Sequence, residues 1–391
     1  MKKVTIYRET PLNSNYRPLF HLAAQEEIDL EVFDHKGFRW AGVKMWHCSP
    51  AMRFLLKKWV ENIPRRSPAS RAGVLRKLVE KAQHEKEPSW GDLMKSFIFP
   101  LRLLFLRNIV VAFAPYSLMG YYLLLLKVLG KNVTFFTSWP YWNGVDYVHK
   151  PRLGSRKVWE AFLRDVKSVC VTRNCARQLE NLGANAMYIP HSVDIHRFTP
   201  GKKSPKEKLT LLYVGRVVKE KGVRELSDVF GLLLENYPEL ELVIVGDGPE
   251  LDEIRDKKGV ICKGYIDNPH DLAMEYQSSD IFVLNSFRTE NWQELFGICL
   301  IEAMACGLPC VATDCVGPRE IVKDGMSGFL VPTQDERALY RTLERLIGNR
   351  ELRTDFGRNG RERASDYAVD SNARKWKEVI FAQAAHRHPP F

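Results

Sequence analysis

Two glutamates in the second half of the chain have a spacing suited to binding a polyhydroxylated ligand. Glu294 and Glu302 are separated by seven residues in ELFGICLIE, and Gly297 lies between them. The pattern predicts a helix running to Cys306, with Glu294 on the entering loop and Glu302 about one turn inside. Carboxylates accept hydrogen bonds from sugar hydroxyls, and the first N–H groups of a helix bind phosphate. Either glutamate alone could instead be a solvated residue or one that favours the helix dipole.

Two cations occur earlier, in the motif LLYVGRVVKEKG. Arg216 and Lys221 follow an apolar run typical of a buried strand, and Gly215 and Gly222 allow close approach and helix entry. Ligands of open α/β sheets bind at the carboxyl ends of strands, where this loop would lie. Two cations there suit a diphosphate, and a helix N-terminus adds to the attraction. Taken alone, the motif is equally typical of a basic strand–helix turn.

A third loop follows the next apolar run, in VIVGDGPE. It lacks G-x-G-x-x-G, so the sequence does not support a dinucleotide-binding fingerprint. Asp247 is interpreted as part of a tight strand–helix turn, and the loop is expected to lie near the ligand.

Alternating strands and helices must position these motifs. The apolar runs predict strands at Val4–Tyr7, Ile109–Phe113, Val133–Phe136, Ser168–Val171, Leu209–Val214, Leu240–Val245, Val260–Lys263, Ile281–Leu284 and Pro309–Thr313. Helices are predicted from Val223 to Glu235, from the GDGPE turn through Asp256, and over Asn372–Ala385. In the second half each strand is apolar on both faces, as buried parallel strands are. The pattern predicts an α/β protein with parallel sheets.

Length and composition are consistent with two domains. The chain has 391 residues, 45% of them hydrophobic, and a net charge of +11. Polar residues in FTPGKKSPKEK, near residue 200, predict the linker. Eight cysteines form no C-x-x-C pair or zinc-finger spacing, so we expect free thiols in a reducing cytoplasm and no metal site. MKKVTIYRE has no long apolar segment, so we expect no signal peptide. Arg102 and Arg107 interrupt the most membrane-like stretch, Ser96–Ala114.

The positive charge is concentrated in one region. Residues 51–110 hold 13 Lys or Arg against five Asp or Glu, within an amphipathic pattern. Such a run is usually a solvated face. We favour a surface for anionic lipid that brings the protein to a lipid-linked acceptor. Nucleic-acid binding has only the charge to support it, because no recognised motif accompanies it.

Residues 209–332 resemble glycosyltransferase family 4, which has the two-domain GT-B fold. The matching motifs, in order, are GRVVKEKG, VIVGDGPE, KGYI, the E-x7-E motif in QELFGICLIEAMACG, LPCVATDCVGPREIV and DGMSGFLV. The resemblance implies two Rossmann-like domains facing across a cleft. The acceptor-binding domain would comprise residues 1–200 and a helix at 370–391 that crosses back to it. The nucleotide-sugar domain would comprise residues 205–369.

The resemblance also implies roles for individual residues. Arg216 and Lys221 would hold the donor diphosphate and stabilise the leaving group without a divalent metal or other cofactor. Glu294 would bind hydroxyls of the donor hexose, and Glu302 would bind the ribose. Gly215 would also bind the donor, and Tyr265 and Ile266 would frame the base. The backbone at Phe296, Gly297, Ile298 and Cys299 would line the sugar and phosphates. The donor would be a UDP- or GDP-sugar, and its sugar would be transferred with retention of the anomeric configuration.

The first half departs from the family pattern at two places. The loop after the first strand, ETPLNSNYRP, has no glycine, and TFFTSWPYWNG places Ser138 or Trp139 where the family has a histidine. His149 and His191 do not match that position and are interpreted as hydrogen-bonded structural residues. Two hypotheses therefore stand. One is a cytoplasmic, peripherally membrane-bound glycosyltransferase of cell-surface polysaccharide or glycolipid synthesis, and the other is a catalytically silent sugar-nucleotide or glycan-binding protein.

Overall fold

The computed structural model describes residues 2–8, 16–34, 105–106, 108–117, 119–142, 155–201, 208–290 and 292–381. The predicted linker residues 202–207, His149 and nearly all of the basic region 51–110 lie outside the described residues. In the part of the chain that is described, no helix has the length and apolarity needed to cross a membrane.

The chain forms two parallel sheets, as the sequence predicts, and each sheet has six strands. The first sheet has the order β2-β1-β3-β4-β5-β6. Its strands are β1 (Lys2–Arg8), β2 (Ile28–Asp34), β3 (Asn108–Ala112), β4 (Asn132–Thr137), β5 (Lys167–Cys170) and β6 (Asn185–Tyr188). The second sheet has the order β12-β11-β10-β7-β8-β9. Its strands are β7 (Leu209–Val214), β8 (Leu240–Val245), β9 (Val260–Gly264), β10 (Ile281–Leu284), β11 (Cys310–Thr313) and β12 (Gly328–Val331).

Helices connect these strands and cover both faces of each sheet. Those of the first half are α1 (Arg17–Ala24), α2 (Met119–Val128), α3 (Ser155–Leu163) and α4 (Arg173–Asn181). Those of the second half are α5 (Val223–Asn236), α6 (Leu251–Ile254), α7 (Pro269–Ser278), α8 (Ile298–Ala305), α9 (Val316–Ile321), α10 (Glu336–Ile347), α11 (Arg350–Ala364) and α12 (Val369–Phe381). Helix α6 is shorter than predicted. It ends at Ile254, with Arg255 as its C-cap, and does not continue through Asp256.

The strands of the first sheet contribute alternate residues to two apolar cores. Val110 belongs to the core on one face, and its neighbours Ile109 and Val111 belong to the core on the other. Helix α12 packs against α1, β3 and β4, so the C-terminal helix returns to the first domain. Burying its Trp376 in the first of these cores fixes that position.

Three strands were not predicted, and one was predicted with the wrong burial. Strand β9 alternates between half-buried and exposed residues, because it is an edge strand and not a central one. Strands β2, β6 and β12 lie at the remaining three edges. Edge strands need only one apolar face, so their sequences can lack the continuous apolar run of the central strands.

Candidate active site

The candidate site lies where the strand order of the second sheet reverses. Strand β7 is flanked by β8 on one side and β10 on the other, so the connections after β7 and β10 diverge to opposite sides. This topological switch point leaves a crevice at the carboxyl ends of the strands, where open α/β sheets bind ligands. The loop with Arg216 and Lys221 follows β7, and the loop with Glu294 follows β10.

Close backbone contact joins these two loops. Gly222 has φ +60°, and a Cβ at this position would lie 2.2 Å from the carbonyl oxygen of Asn285. The Asn285 side chain donates a 3.0 Å hydrogen bond to the Gly222 carbonyl. The Phe287 N–H donates a 2.8 Å bond to the Glu220 carbonyl. Only glycine allows this approach without strain, and the approach brings Lys221 beside Glu294.

Lys221 and Glu294 form an ion pair between Nζ and Oε2. Each side chain is only 13% exposed, so the pair is well shielded from solvent. The Ser286 hydroxyl donates a 3.1 Å hydrogen bond to the same carboxylate oxygen. The ammonium also lies 5.3 Å from the centre of the Trp292 ring. The sequence predicted both charged residues as site residues, but it did not predict that they contact each other.

Arg216 lies on the same loop but extends into solvent. Among the described residues its guanidinium has no ion pair. Its carbonyl accepts a 2.7 Å hydrogen bond from the Tyr213 hydroxyl, which also lies beside Gly215. Burial raises the pKa of Tyr213 well above its usual value, so the phenol stays protonated and continues to donate this bond. Arg216 is therefore held at its backbone, with its charged group available for an anion.

Helix α8 begins where the sequence predicts, between the two glutamates. Gly297 has φ +95° and precedes the first helical residue. The early N–H groups of a helix have no intrahelical acceptors, and Ile298 and Cys299 at this end are half-buried. Burial raises the pKa of the Cys299 thiol, so it is a neutral lining group and not a thiolate. This helix end can attract an anion.

Phe296 is fixed from two directions. A Cβ on Gly317, at the start of α9, would lie 2.3 Å from the Phe296 backbone. The Phe296 ring packs edge-on against His191, with 4.7 Å between the ring centres. The segment from Glu294 to Gly297 is thus held between α9 and the chain that follows β6, which leads towards the second domain.

Glu302 is buried, with only 4% of the residue exposed, and is not a solvated mid-helix residue. Its Oε1 accepts a 2.9 Å hydrogen bond from Arg17 of α1 in the first domain. Its Oε2 accepts a 3.1 Å bond from the Tyr276 hydroxyl of α7. The second glutamate of the motif therefore lies at the contact between the two domains.

Tyr265 and Ile266 follow β9, at the edge of the sheet. Tyr265 is 74% exposed, and its hydroxyl forms a 3.3 Å hydrogen bond with Asp267 on the same loop. Ile266 is partly buried against the core. Their position beside a base stays a prediction. Asp247 accepts a 2.8 Å bond from the Gly248 N–H, as expected for a residue that forms a tight turn.

Sequence reasoning missed four residues around the two glutamates, namely Arg17, Tyr276, Ser286 and His191. The expectation of a hydrogen-bonded structural histidine is wrong in one respect. His191 is buried, but in the described part of the chain its Nδ1 has no hydrogen-bond partner. Burial and the nearby Arg17 lower its pKa to about 3, so the imidazole is neutral. No sequence pattern marks these residues. Ser286 lies on the same loop as Glu294, and the other three reach the site through the packing of separate elements.

The described residues contain neither a disulfide nor a cluster of metal-ligating side chains. Seven of the cysteines lie among these residues, and all seven are free thiols, as expected. Within the same residues no group of three His, Cys, Asp or Glu side chains is placed to hold a metal ion.

Comparison with known proteins agrees with the architecture. Residues 194–363 match the family model described as Glycosyl transferases group 1. A 199-residue segment is 32% identical to the phosphatidyl-myo-inositol mannosyltransferase of Mycolicibacterium smegmatis, covering 49% of this chain and 50% of that protein. The chain thus spans about half the length of this curated relative.

Two solved structures match nearly the whole chain. Sucrose-phosphate synthase from Thermosynechococcus elongatus has a TM-score of 0.65 and 18% identity, over 97% of this chain and 98% of that one. Anabaena HepE in complex with UDP has a TM-score of 0.64 and 15% identity, over 98% and 100%. The fold is the GT-B arrangement of two parallel α/β domains that the sequence predicts.

Proposed function

We propose that this protein is a retaining, metal-independent glycosyltransferase. It would move a hexose or an N-acetylhexosamine from a nucleotide-sugar to a glycan or lipid-linked acceptor. The observation that carries the proposal is the shielded Lys221–Glu294 pair at the switch point of the second sheet, beside the N-terminus of α8. This arrangement combines a cation for a phosphate with a carboxylate for sugar hydroxyls.

Arg216 and Lys221 supply the positive charge for the donor diphosphate. An ammonium group has three N–H donors, so Lys221 can keep its bond to Glu294 and still donate to phosphate oxygens. Arg216 has an exposed guanidinium, which can bind phosphate with two parallel hydrogen bonds. Together they neutralise the charge that develops on the departing phosphate, the role that a divalent cation has in other transferases.

Glu294 retains acceptor capacity for the sugar. Its Oε2 is bound by Lys221 and Ser286, while Oε1 accepts no hydrogen bond from the described residues. A hexose hydroxyl could donate to that oxygen. Because the carboxylate is held by a cation, it serves better as a fixed acceptor than as a proton donor.

Retention follows if bond breaking and bond making occur on the same face of the sugar. The bond from the anomeric carbon to the phosphate oxygen breaks, and the acceptor oxygen bonds to that carbon from the same side. The acceptor proton passes to the departing phosphate oxygen, and a nucleoside diphosphate leaves. In this scheme the protein stabilises charge and positions the substrates, and no side chain forms a covalent intermediate.

The names of relatives support the proposed substrate class. The mycobacterial relative is named a phosphatidyl-myo-inositol mannosyltransferase, and a Staphylococcus aureus relative is named a capsular polysaccharide biosynthesis glycosyltransferase. HepE has been solved with UDP and with UDP-glucose. These names support a nucleotide-sugar donor and an acceptor in cell-surface polysaccharide or glycolipid synthesis. A cytoplasmic location would give the protein access to nucleotide-sugars.

Binding to an anionic bilayer would bring the enzyme to a lipid-linked acceptor. Tyr121, Leu125, Val128 and Leu129 lie along one side of α2 and the turn after it, and all four side chains are exposed. The basic residues of segment 51–110 would add attraction to anionic headgroups. Flotation with phosphatidylglycerol vesicles tests this part. Binding should decrease with added salt, and no binding at low salt would exclude it.

The main test screens UDP-, GDP- and ADP-sugars by thermal shift. A ligand at 100 times its Kd stabilises a protein by about 2.7 kcal/mol. The donor that binds should then release nucleoside diphosphate slowly by hydrolysis, and faster with an acceptor. Proton NMR of the product, or of the trapped sugar, should show the anomeric configuration of the donor. An inverted product would exclude retention.

The second candidate is a catalytically silent sugar-nucleotide or glycan-binding protein. It is favoured by the first half of the chain, where Ser138 and Trp139 stand in place of the family histidine. Stabilisation by a nucleotide-sugar without release of nucleoside diphosphate, with or without acceptors, would select this function.

A further inference from the structure

The buried carboxylate of Glu302 depends on the opposite domain for its charge balance. Arg17 of α1 is its ion-pair partner at 2.9 Å, and the other hydrogen bond comes from the neutral Tyr276 hydroxyl. Burying a carboxylate without a cation is costly. The proposed ribose-binding group in the second domain is therefore stabilised by a side chain of the first.

The guanidinium of Arg17 is held at both ends. Its Nη2 donates to Glu302, and its Nη1 donates a 3.0 Å hydrogen bond to the Ser192 carbonyl. Ser192 is fixed in turn, because its hydroxyl accepts a 2.9 Å bond from Asn372 of α12. A planar guanidinium with two fixed hydrogen bonds has little freedom to rotate. It therefore sets the direction of the carboxylate as well as balancing its charge.

The carboxylate still has unused acceptor capacity for a ligand. Its two oxygens can accept about four hydrogen bonds, and Arg17 and Tyr276 account for two. The remaining capacity matches the two neighbouring hydroxyls of a ribose. Arg17 therefore does not need to leave when a nucleotide binds.

We propose that Arg17 is a positioning residue for the nucleotide ribose. It acts through Glu302 and completes the ribose site only when the two domains are in contact. The inference rests on the proposed function, which assigns Glu302 to the ribose. One consequence is that nucleotide affinity depends on domain closure, since separating the domains removes the cation from Glu302.

The test measures ribose recognition and not stability alone. The probe is whichever of UDP, GDP or ADP binds the wild-type protein, compared with its 2′,3′-dideoxy analogue by titration calorimetry. Wild type should prefer the ribose form about tenfold or more. Arg17→Gln should weaken binding of the ribose form about tenfold and nearly abolish the preference. Arg17→Lys should recover part of it, because the charge is retained.

Lys377→Gln is the matched control. It removes another ion pair made by α12, that between Lys377 and Glu27 in the turn after α1, and should leave the preference unchanged. Glu302→Gln provides a second route if Arg17→Gln folds poorly. It should lose the preference to the same extent, and adding Arg17→Gln should weaken binding little further, since both residues act in one unit.

The outcomes separate this inference from the proposed function. If wild type binds none of the three nucleoside diphosphates, the proposed function fails. If wild type binds with a ribose preference and both Arg17→Gln and Glu302→Gln retain it, Arg17 and Glu302 are only a structural contact and this inference is wrong. If Glu302→Gln alone loses the preference, Glu302 reads the ribose but Arg17 does not position it.

Discussion

The two domains share a sheet architecture but differ in how the carboxyl ends of their strands are filled. In the second domain glycines bring the loops together, and a Cβ on Gly246 would lie 1.8 Å from the Gly215 carbonyl oxygen. In the first domain, the chain that follows β4 buries aromatic side chains instead. Trp142 is buried there, with its ring centre 5.7 Å from Phe135 and 5.8 Å from Trp159.

This difference explains how each domain can bind a ligand. Backbone held by glycines leaves N–H groups and charged side chains at fixed positions, which suits a constant ligand such as a diphosphate. Where aromatic side chains fill the carboxyl ends of the strands, as in the first domain, each substitution changes the shape of the surface. We therefore expect the donor site to tolerate few changes and the acceptor side to carry the specificity.

The largest effect is expected for the charge at the proposed donor site. Lys221→Ala removes a shielded cation from the proposed diphosphate site and leaves Glu294 without its ion pair. We expect kcat/KM to fall roughly 100- to 1,000-fold in an assay of nucleoside diphosphate release. Lys219→Ala changes an exposed lysine on the same turn and is the control. Equal losses in both variants would mean that Lys221 contributes only to the general charge of the loop.

The next prediction concerns the glycines that shape this loop. Gly222→Ala places a Cβ against the Asn285 carbonyl in a left-handed conformation. We expect the free energy of unfolding to fall by roughly 2–4 kcal/mol, the sum of backbone strain and overpacking. Gly231→Ala in the exposed part of α5 meets no atom within 4 Å. That control should gain up to about 1 kcal/mol, and similar losses at both positions in urea unfolding would contradict the comparison.

The same contrast decides what could be predicted from the sequence. The central strands of the second sheet follow from continuous apolar runs, and Leu209–Val214 and Ile281–Leu284 match their predicted bounds. The position of α8 follows from Gly297 at the start of that helix. Lys221 and Glu294 could be chosen because both lie beside such signals. Edge strands such as β2 could not be predicted, because the alternating residues of β2, IDLEVFD, contain no comparable apolar run.

Individual side-chain contacts between distant segments could not be predicted. Arg17 and Glu302 are 285 residues apart, and their pairing depends on how the domains pack. Neither residue has a neighbour in sequence that indicates a partner. The same is true of His191, whose burial results from contacts with Phe136 and Phe296 on separate domains.

A smaller effect is expected from the buried imidazole of His191. Its pKa is about 3 in the folded protein, against 6.5 without the fold. Between these values the unfolded chain binds a proton that the folded chain does not, so stability decreases as pH falls below 6.5. Compared with His191→Asn, which cannot titrate, wild type should lose roughly 1.5 kcal/mol more between pH 6.5 and pH 5. Parallel pH dependences of urea unfolding would show that His191 ionises freely.

The smallest effect should come from a contact in which the second domain caps a helix of the first. The Glu320 carboxylate accepts hydrogen bonds of 2.8 and 3.2 Å from the N–H groups of Arg173 and Asn174, at the start of α4. Glu320→Ala removes acceptors and a charge that favours the helix dipole, which is worth about 1 kcal/mol. Glu253→Ala, which breaks a surface ion pair with Arg224, is the control. It should change the free energy of unfolding by no more than about 0.5 kcal/mol.

Small-angle scattering distinguishes what this contact does. If Glu320 helps to hold the domains together, Glu320→Ala should increase the radius of gyration in the absence of nucleotide, and saturating nucleotide should reverse the increase. Because Arg17 reaches Glu302 only across the same interface, the variant should also bind nucleotide more weakly. A variant that is less stable but unchanged in size and affinity would show that Glu320 only caps α4, and that donor binding is set within the second domain.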